Sequence, residues 1–299
     1  MVFHSPIDIF AKAGETGTYK AGLKTRDLFL RGFLAGAFIA IGGILATVCS
    51  TGIVASASAI KDAPQLAFGV SSAGFGQLIM GAVFPVGMII TILTGAELFT
   101  GDALLTPIAA FTSKFVWKRV LDQWIWVYLG NLIGSVVFAY FCANGPFVSF
   151  GINASTGATT ATVTAFGTQA IAIATAKTGY VGMMGFYSAF LKGIIGNWLV
   201  NLAILFGMCA DDVPGKVFGI WFPVMALISG GFEYSVANMY FIPAGIMIAG
   251  VTNTVTTVNW INLWTANLIP VTLGNIVGGL FFAGLIYRIA FEKEIAARK

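Results

Sequence analysis

Long apolar runs alternate with short polar breaks along the chain. A hydrocarbon core needs about 20 apolar residues to cross, and six runs reach that length: about 28–52, 78–110, 122–144, 183–209, 217–250 and 262–290. The second and fifth are too long for one straight helix, and glycine and proline interrupt both. That pattern predicts discontinuous membrane helices. The interruptions lie in GAELFTGDALLTP (Gly95 to Pro107) and GFEYSVANMYFIP (Gly231 to Pro243), and each reads G-x-E, nine residues, then proline.

Two further pairs follow the same order. LGNLIGSVVF (129–138) in the third run matches LGNIVGGLFF (273–282) in the sixth, and FLRG (29–32) opens the first run while FLKG (190–193) sits inside the fourth. Three paired motifs predict two repeats of three spans. An odd number of spans turns the second copy upside down, which gives a pseudo-two-fold axis in the membrane plane. The expected fold is an all-α membrane protein of six helices in two inverted three-helix repeats. Its expected divisions are an N-terminal segment 1–27, a first repeat 28–144, a connection 145–182, a second repeat 183–290 and a tail 291–299.

Composition supports the membrane reading. Hydrophobic residues make up 58% and charged residues 9% of the chain, with a mean hydropathy of +0.89. A soluble domain carries about 25% charged residues, so this chain has too little charge to cover a water-facing surface. The net charge of +4 contains no run dense enough for nucleic acid. Cys49, Cys142 and Cys209 have no metal or disulfide spacing and read as small buried hydrophobes. The first 27 residues have no continuous apolar core and are not expected to act as a cleavable signal peptide; Pro6 to Gly14 is expected to lie on the membrane as a short surface helix.

Charge also orients the spans. Lys12, Lys20, Lys24, Arg26 and Arg31 precede the first span, Lys114, Lys118 and Arg119 follow the second, Lys216 follows the fourth, and Arg288, Lys293, Arg298 and Lys299 close the chain. All fall on one side if the spans alternate, against only Lys61 and Lys177 on the other. The positive-inside rule places both termini in the cytoplasm, at the cell membrane. The connection 145–182, uncharged except for Lys177, reads as a surface-lying segment without assignable chemistry.

Backbone groups freed inside a membrane cost several kcal/mol each unless protein or a water-filled cavity receives them. The two breaks are therefore expected to meet near the midplane and line a path. Glu97 and Glu233 are expected to brace the breaks by accepting the freed N–H groups, as helix caps do. Lys192 reads as the only basic residue deep inside a span; a buried lysine costs about 2.5–3.5 kcal/mol on insertion scales, so it is expected either to snorkel to an interface or to face a cavity and concentrate small anions there. Asp102 is the main unpaired acid within a span. Phe84, Met88, Leu98 and Leu227 flank the breaks, and with Thr100, Tyr234, Asn238 and Asn275 they predict apolar constrictions around a few hydrogen-bonding groups.

Other classes fit poorly. No P-loop, metal cluster or nucleophile–base pair appears, which argues against an enzyme and against a cofactor. A haem-binding membrane anchor needs intramembrane histidines, and the only histidine is His4. A facilitator of neutral solutes would leave Lys192 unexplained.

GFEYSVANMYFIP, LTGAELFTGD, FLKGIIGNWLVNLAI, NLIPVTLGNIVGG and RGFLAGAFIAIGG resemble the signature segments of the formate/nitrite transporter family, over about residues 8 to 290. The resemblance implies an aquaporin-like protomer in a homopentamer, surrounded by lipid, with one pore in each subunit. It implies small monovalent anions as substrates, formate first, with nitrite, hydrosulfide or short-chain acids as alternatives. By the same resemblance Leu98 and Thr100 fall in the flexible loop of the broken second span. Phe84, Met88 and Leu227 fall at constrictions, Lys192 at the anion-attracting lysine and Asn275 at the pore centre. Tyr234 departs from the pattern, since the family usually carries histidine there. Imidazole titrates near pH 6.5 and a phenol near 10, so histidine-style proton gating is not expected.

Overall fold

The computed structural model describes residues 4–53, 73–111 and 116–296. Lys61, Lys114, Arg298 and Lys299, which enter the charge asymmetry, lie outside the described residues. Helix α1 (Pro6–Ala21) starts at a capping box formed by Ser5 and Asp8. Helix α2 (Thr25–Ser50) is the first span. The second span consists of α3 (Ala73–Val83), α4 (Pro85–Thr94) and, beyond a break, α5 (Phe99–Phe111). Helix α6 (Trp117–Ala143) closes the first half.

A two-stranded antiparallel hairpin, β1 (Val148–Ile152) and β2 (Thr159–Val163), leads into α7 (Ala165–Lys177). Helix α8 (Gly182–Cys209) is the fourth span, and α9 (Val213–Ser229) with α10 (Ser235–Thr252) forms the broken fifth. Helix α11 (Trp260–Ala290) widens into π-helical stretches at Leu263–Leu268 and Gly278–Leu285, and α12 (Glu292–Ala296) follows. Among the described residues six helices are long and apolar enough to cross a membrane, and the shorter α5 and α9 complete the two broken spans. Apart from the hairpin, the elements among the described residues are helical, as expected.

Lipid supplies no hydrophobic force between helices, so close backbone packing must hold them. This chain uses its glycines for that. A Cβ on Gly36 of α2 would stand 2.1 Å from the Asn131 carbonyl oxygen of α6, and one on Gly134 would stand 2.1 Å from the Phe33 oxygen. The same contact recurs between α8 and α11, where a Cβ on Gly278 would stand 2.2 Å from the Ile194 oxygen. The paired LGN motifs thus mark two equivalent helix pairs.

The structure extends the repeat and corrects two expectations. Helix α1 continues to Ala21 and buries Ile9, Phe10, Ala13 and Ala21 against the protein, because its small face seats Gly17 on the Leu105 carbonyl of α5. It is therefore longer than expected and packed on the protein. Its counterpart is α7, inside the segment read as a surface-lying connection without assignable chemistry. Helix α7 packs on α10 as α1 packs on α5. Helix α6 separates the two: at its start Arg119 donates to the Ala21 and Leu23 carbonyls, and beyond its end the Phe147 carbonyl accepts from Thr164 N–H at 3.2 Å. Its 27 residues span about 40 Å at the helical rise, so α1 and α7 lie at opposite ends of the bundle.

Valine in place of Gly36 is expected to lower the thermal unfolding temperature of the detergent-solubilised protein, since overpacking costs about 1–3 kcal/mol. Valine in place of the half-exposed Leu129 is the matched control and should change it little. Equal melting of the two variants would refute the role given to glycine.

Candidate functional site

The two breaks are built alike. Helix α4 ends at Gly95 with φ 73° and α9 ends at Gly231 with φ 69°, left-handed turns that glycine adopts without strain. The next amides fold back on the helix ends, Ala96 to the Thr91 oxygen at 3.1 Å and Phe232 to the Leu227 oxygen at 3.2 Å. Glu97 N–H then donates to the Arg31 carbonyl at 3.2 Å, and Glu233 N–H to the Lys192 carbonyl at 3.3 Å.

Asparagines of the LGN motifs complete the closure. Asn131 Oδ1 accepts from Phe99 N–H at 3.0 Å, while its Nδ2 donates to the carbonyls of Gly32 and Glu97 at 2.8 and 2.9 Å. Asn275 Oδ1 accepts from Ser235 N–H at 2.9 Å, and its Nδ2 donates to Gly193 and Glu233 at 2.8 and 3.1 Å. All three repeated motifs thus meet at each break. The freed amides go to asparagine and to neighbouring carbonyls, not to the glutamate side chains as the sequence suggested. Asn275, expected at the pore centre, has its amide bound to backbone on both ends.

The glutamates hold cations instead. Glu97 Oε2 accepts from Lys20 Nζ at 2.7 Å, and Asp102 Oδ1 accepts from the same ammonium at 3.0 Å. Asp102 is therefore paired, contrary to expectation, because α1 folds back and delivers Lys20. Burial alone would lower the Lys20 pKa, but Asp102 and Glu97 outweigh it and hold the ammonium above its ordinary range. At the other end Glu233 accepts from Lys177 Nζ at 3.1 Å, Tyr180 Oη at 2.9 Å and Asn238 Nδ2 at 2.6 Å. Asn238 also donates to Asn267 Oδ1 at 2.7 Å. It belongs to this brace, at the position equivalent to Asp102.

Two cavities open at the opposite ends. One, of about 380 Å3, is lined by Lys12, Tyr19, Lys20, Arg31, Met88, Glu97 and Leu98 among others. The second, of about 400 Å3, is lined by Lys177, Tyr180, Lys192, Phe232, Glu233 and Phe241 among others. Phe84, Leu227, Thr100 and Tyr234 are buried and line neither cavity. The Phe84 ring meets Tyr234 edge-on at 6.5 Å and stacks on Phe241 at 6.2 Å. Thr100 Oγ1 donates to Tyr234 Oη at 3.3 Å and joins the two half-helix starts.

Lys192 is half-buried, with Nζ donating to Tyr180 Oη at 3.1 Å and standing 5.1 Å from that ring's centre. It is not the only basic residue inside a span. Arg31 occupies the equivalent place in α2, with Nη1 donating to Tyr19 Oη at 3.1 Å. Sequence reasoning also missed Asn197, whose Nδ2 donates to the carbonyls of Thr100 and Asn275 at 3.0 and 2.7 Å and so ties the two breaks together. Its spacing from Asn201 puts both on one face of α8, and Asn201 Nδ2 also reaches the Thr100 carbonyl, at 3.4 Å. That i, i+4 pair was the readable signal.

Leucine in place of Asn131 or of Asn275 leaves buried backbone groups without partners, at about 1–3 kcal/mol for each group. Both variants are expected to lose most folded protein after detergent extraction, to similar extents, in fluorescence-monitored size exclusion. Normal recovery of either would show that its break is closed some other way.

Comparison with known proteins agrees with this architecture. A family model described as formate/nitrite transporter matches residues 7–289. A probable formate transporter of Methanothermobacter thermautotrophicus is 36% identical over 98% of each chain. Among solved structures, an FNT family ion channel superimposes with a TM-score of 0.74 at 25% identity, covering 95% of this chain and 98% of that one. A pentameric formate channel with formate bound gives a TM-score of 0.67 at 30% identity, over 89% and 97%. The chain belongs to the formate/nitrite transporter family, multi-pass membrane channels and transporters rather than enzymes.

Proposed function

We propose that this protein passes small monovalent anions, formate first, along a path within each subunit that joins the two cavities between the broken helices. The observation that carries the reading is that each cavity holds a basic side chain on a span, Arg31 or Lys192, while Phe84, Leu227, Thr100 and Tyr234 are buried and line neither. The names of its relatives, a probable formate transporter and a formate-bound channel, support formate as substrate. The pentameric neighbour supports a homopentamer. The charge asymmetry supports cytoplasmic termini, which would put the Arg31 cavity on the cytoplasmic side.

Positive charge in the cavities raises the local anion concentration. Met88, Leu98, Phe84 and Leu227 then strip water from the solute. The N-terminal ends of α5 and α10 meet at Thr100 and Tyr234, where the helix dipoles favour negative charge. Both hydroxyls can hydrogen-bond a carboxylate. Neither becomes a cation, so formate would cross without a proton from a central imidazole. A neutral-solute facilitator would have no use for Arg31 and Lys192.

Liposomes containing the purified protein should take up formate at both pH 5 and pH 7, with competition from nitrite or hydrosulfide and none from glycerol. Passage of glycerol, or none of formate, would refute the reading. Lys192→Met should cut formate flux at low concentration more than at saturation; unchanged flux would remove Lys192 from the path. Tyr234→His should add a rise in flux as pH falls through about 6.5, where imidazole gains its proton. Matching pH profiles for the two proteins would place proton control elsewhere.

A further inference from the structure

We propose that Arg31 is a specificity-determining residue: a forked carboxylate-receiving group in the cytoplasmic cavity that gives this mouth a preference for carboxylates which the Lys192 mouth lacks. The inference rests on the transport reading above and deepens it. Arg31 and Lys192 are equivalent under the repeat: each follows Phe-Leu and precedes Gly in the paired motif, each offers its carbonyl to the glutamate N–H of a break, and each bonds a tyrosine hydroxyl. They differ in chemistry. Guanidinium presents a planar fork that matches two carboxylate oxygens, whereas ammonium is a point charge without that preference.

The surroundings leave the fork free. Glu97 already holds Lys20 Nζ at 2.7 Å, while its other oxygen stands 3.9 Å from Arg31 Nη1, beyond hydrogen-bond reach. Arg31 is therefore no necessary partner for that carboxylate. Among the described residues its hydrogen-bonded nitrogen is Nη1, bonded to Tyr19 Oη, and the guanidinium lies 5.8 Å from that ring's centre; Nε and Nη2 are the donors that a ligand would use. The side chain is 36% exposed and lines the cavity beside Lys12, Lys20, Lys216 and Glu97. A carboxylate arriving there meets positive charge from several residues but a fork from Arg31.

The test compares formate, which has two acceptor oxygens, with hydrosulfide, which has one acceptor atom. Everted membrane vesicles admit anions through the cytoplasmic mouth and right-side-out vesicles through the other; protein-free vesicles supply the background for hydrosulfide. Arg31→Lys keeps the charge and the backbone carbonyl that closes the break. In everted vesicles it should raise the half-saturating formate concentration about three- to tenfold, the worth of one hydrogen bond, and leave that for hydrosulfide unchanged. Arg31→Gln should raise both. In right-side-out vesicles both half-saturating concentrations should stay at their wild-type values. An equal shift for both anions in Arg31→Lys, or none for formate, would overturn the inference while leaving the transport reading intact. A wild-type protein that passes neither anion would instead remove the transport reading, and this inference with it.

Discussion

Everything in this structure depends on closing the backbone at two places where helices stop inside a membrane. Water cannot reach those amides and carbonyls from the lipid, so protein must receive them. Asn131 and Asn275 do so, each taking one amide and giving to two carbonyls. An asparagine on a neighbouring span reaches this far only if the helices nearly touch. That requirement accounts for the glycines facing carbonyl oxygens along α2–α6 and α8–α11.

Charge follows from the same geometry. With the backbone closed by amides, Glu97 and Glu233 remain buried and need cations. Lysines from α1 and α7 supply them, which makes those two helices parts of the repeat rather than appendages. The halves then diverge at one position, Asp102 against Asn238. On the α1 side two carboxylates share one ammonium, whereas on the α7 side amides take the second place. The lysine–carboxylate bridges brace the cavity walls. Arg31 and Lys192, with weaker claims on protein partners, remain facing the cavities.

The buried side chains that line neither cavity offer sparse chemistry: Phe84, Leu227, Thr100 and Tyr234. Tyr234 stands where α10 begins and meets Thr100 near the start of α5, so the two hydroxyls lie where both helix dipoles point.

The apolar runs, their two interruptions and the three motif pairs determined the class of fold, the number of spans and the inverted repeat, because a membrane forces length and polarity into the sequence itself. The site was partly legible. Lys192 lines one cavity and Met88 and Leu98 the other, while Phe84, Leu227, Thr100 and Tyr234 are buried. What tertiary structure alone decided was who bonds to whom. Glu97 looked like a cap and holds Lys20; Asn275 looked like a pore group and closes a break; Asp102 looked unpaired and meets a lysine more than 80 residues away. Hydrophobic pattern reports where a residue lies relative to the membrane. It carries no record of contacts between distant segments, and in a low-dielectric interior those contacts assign each polar group its role.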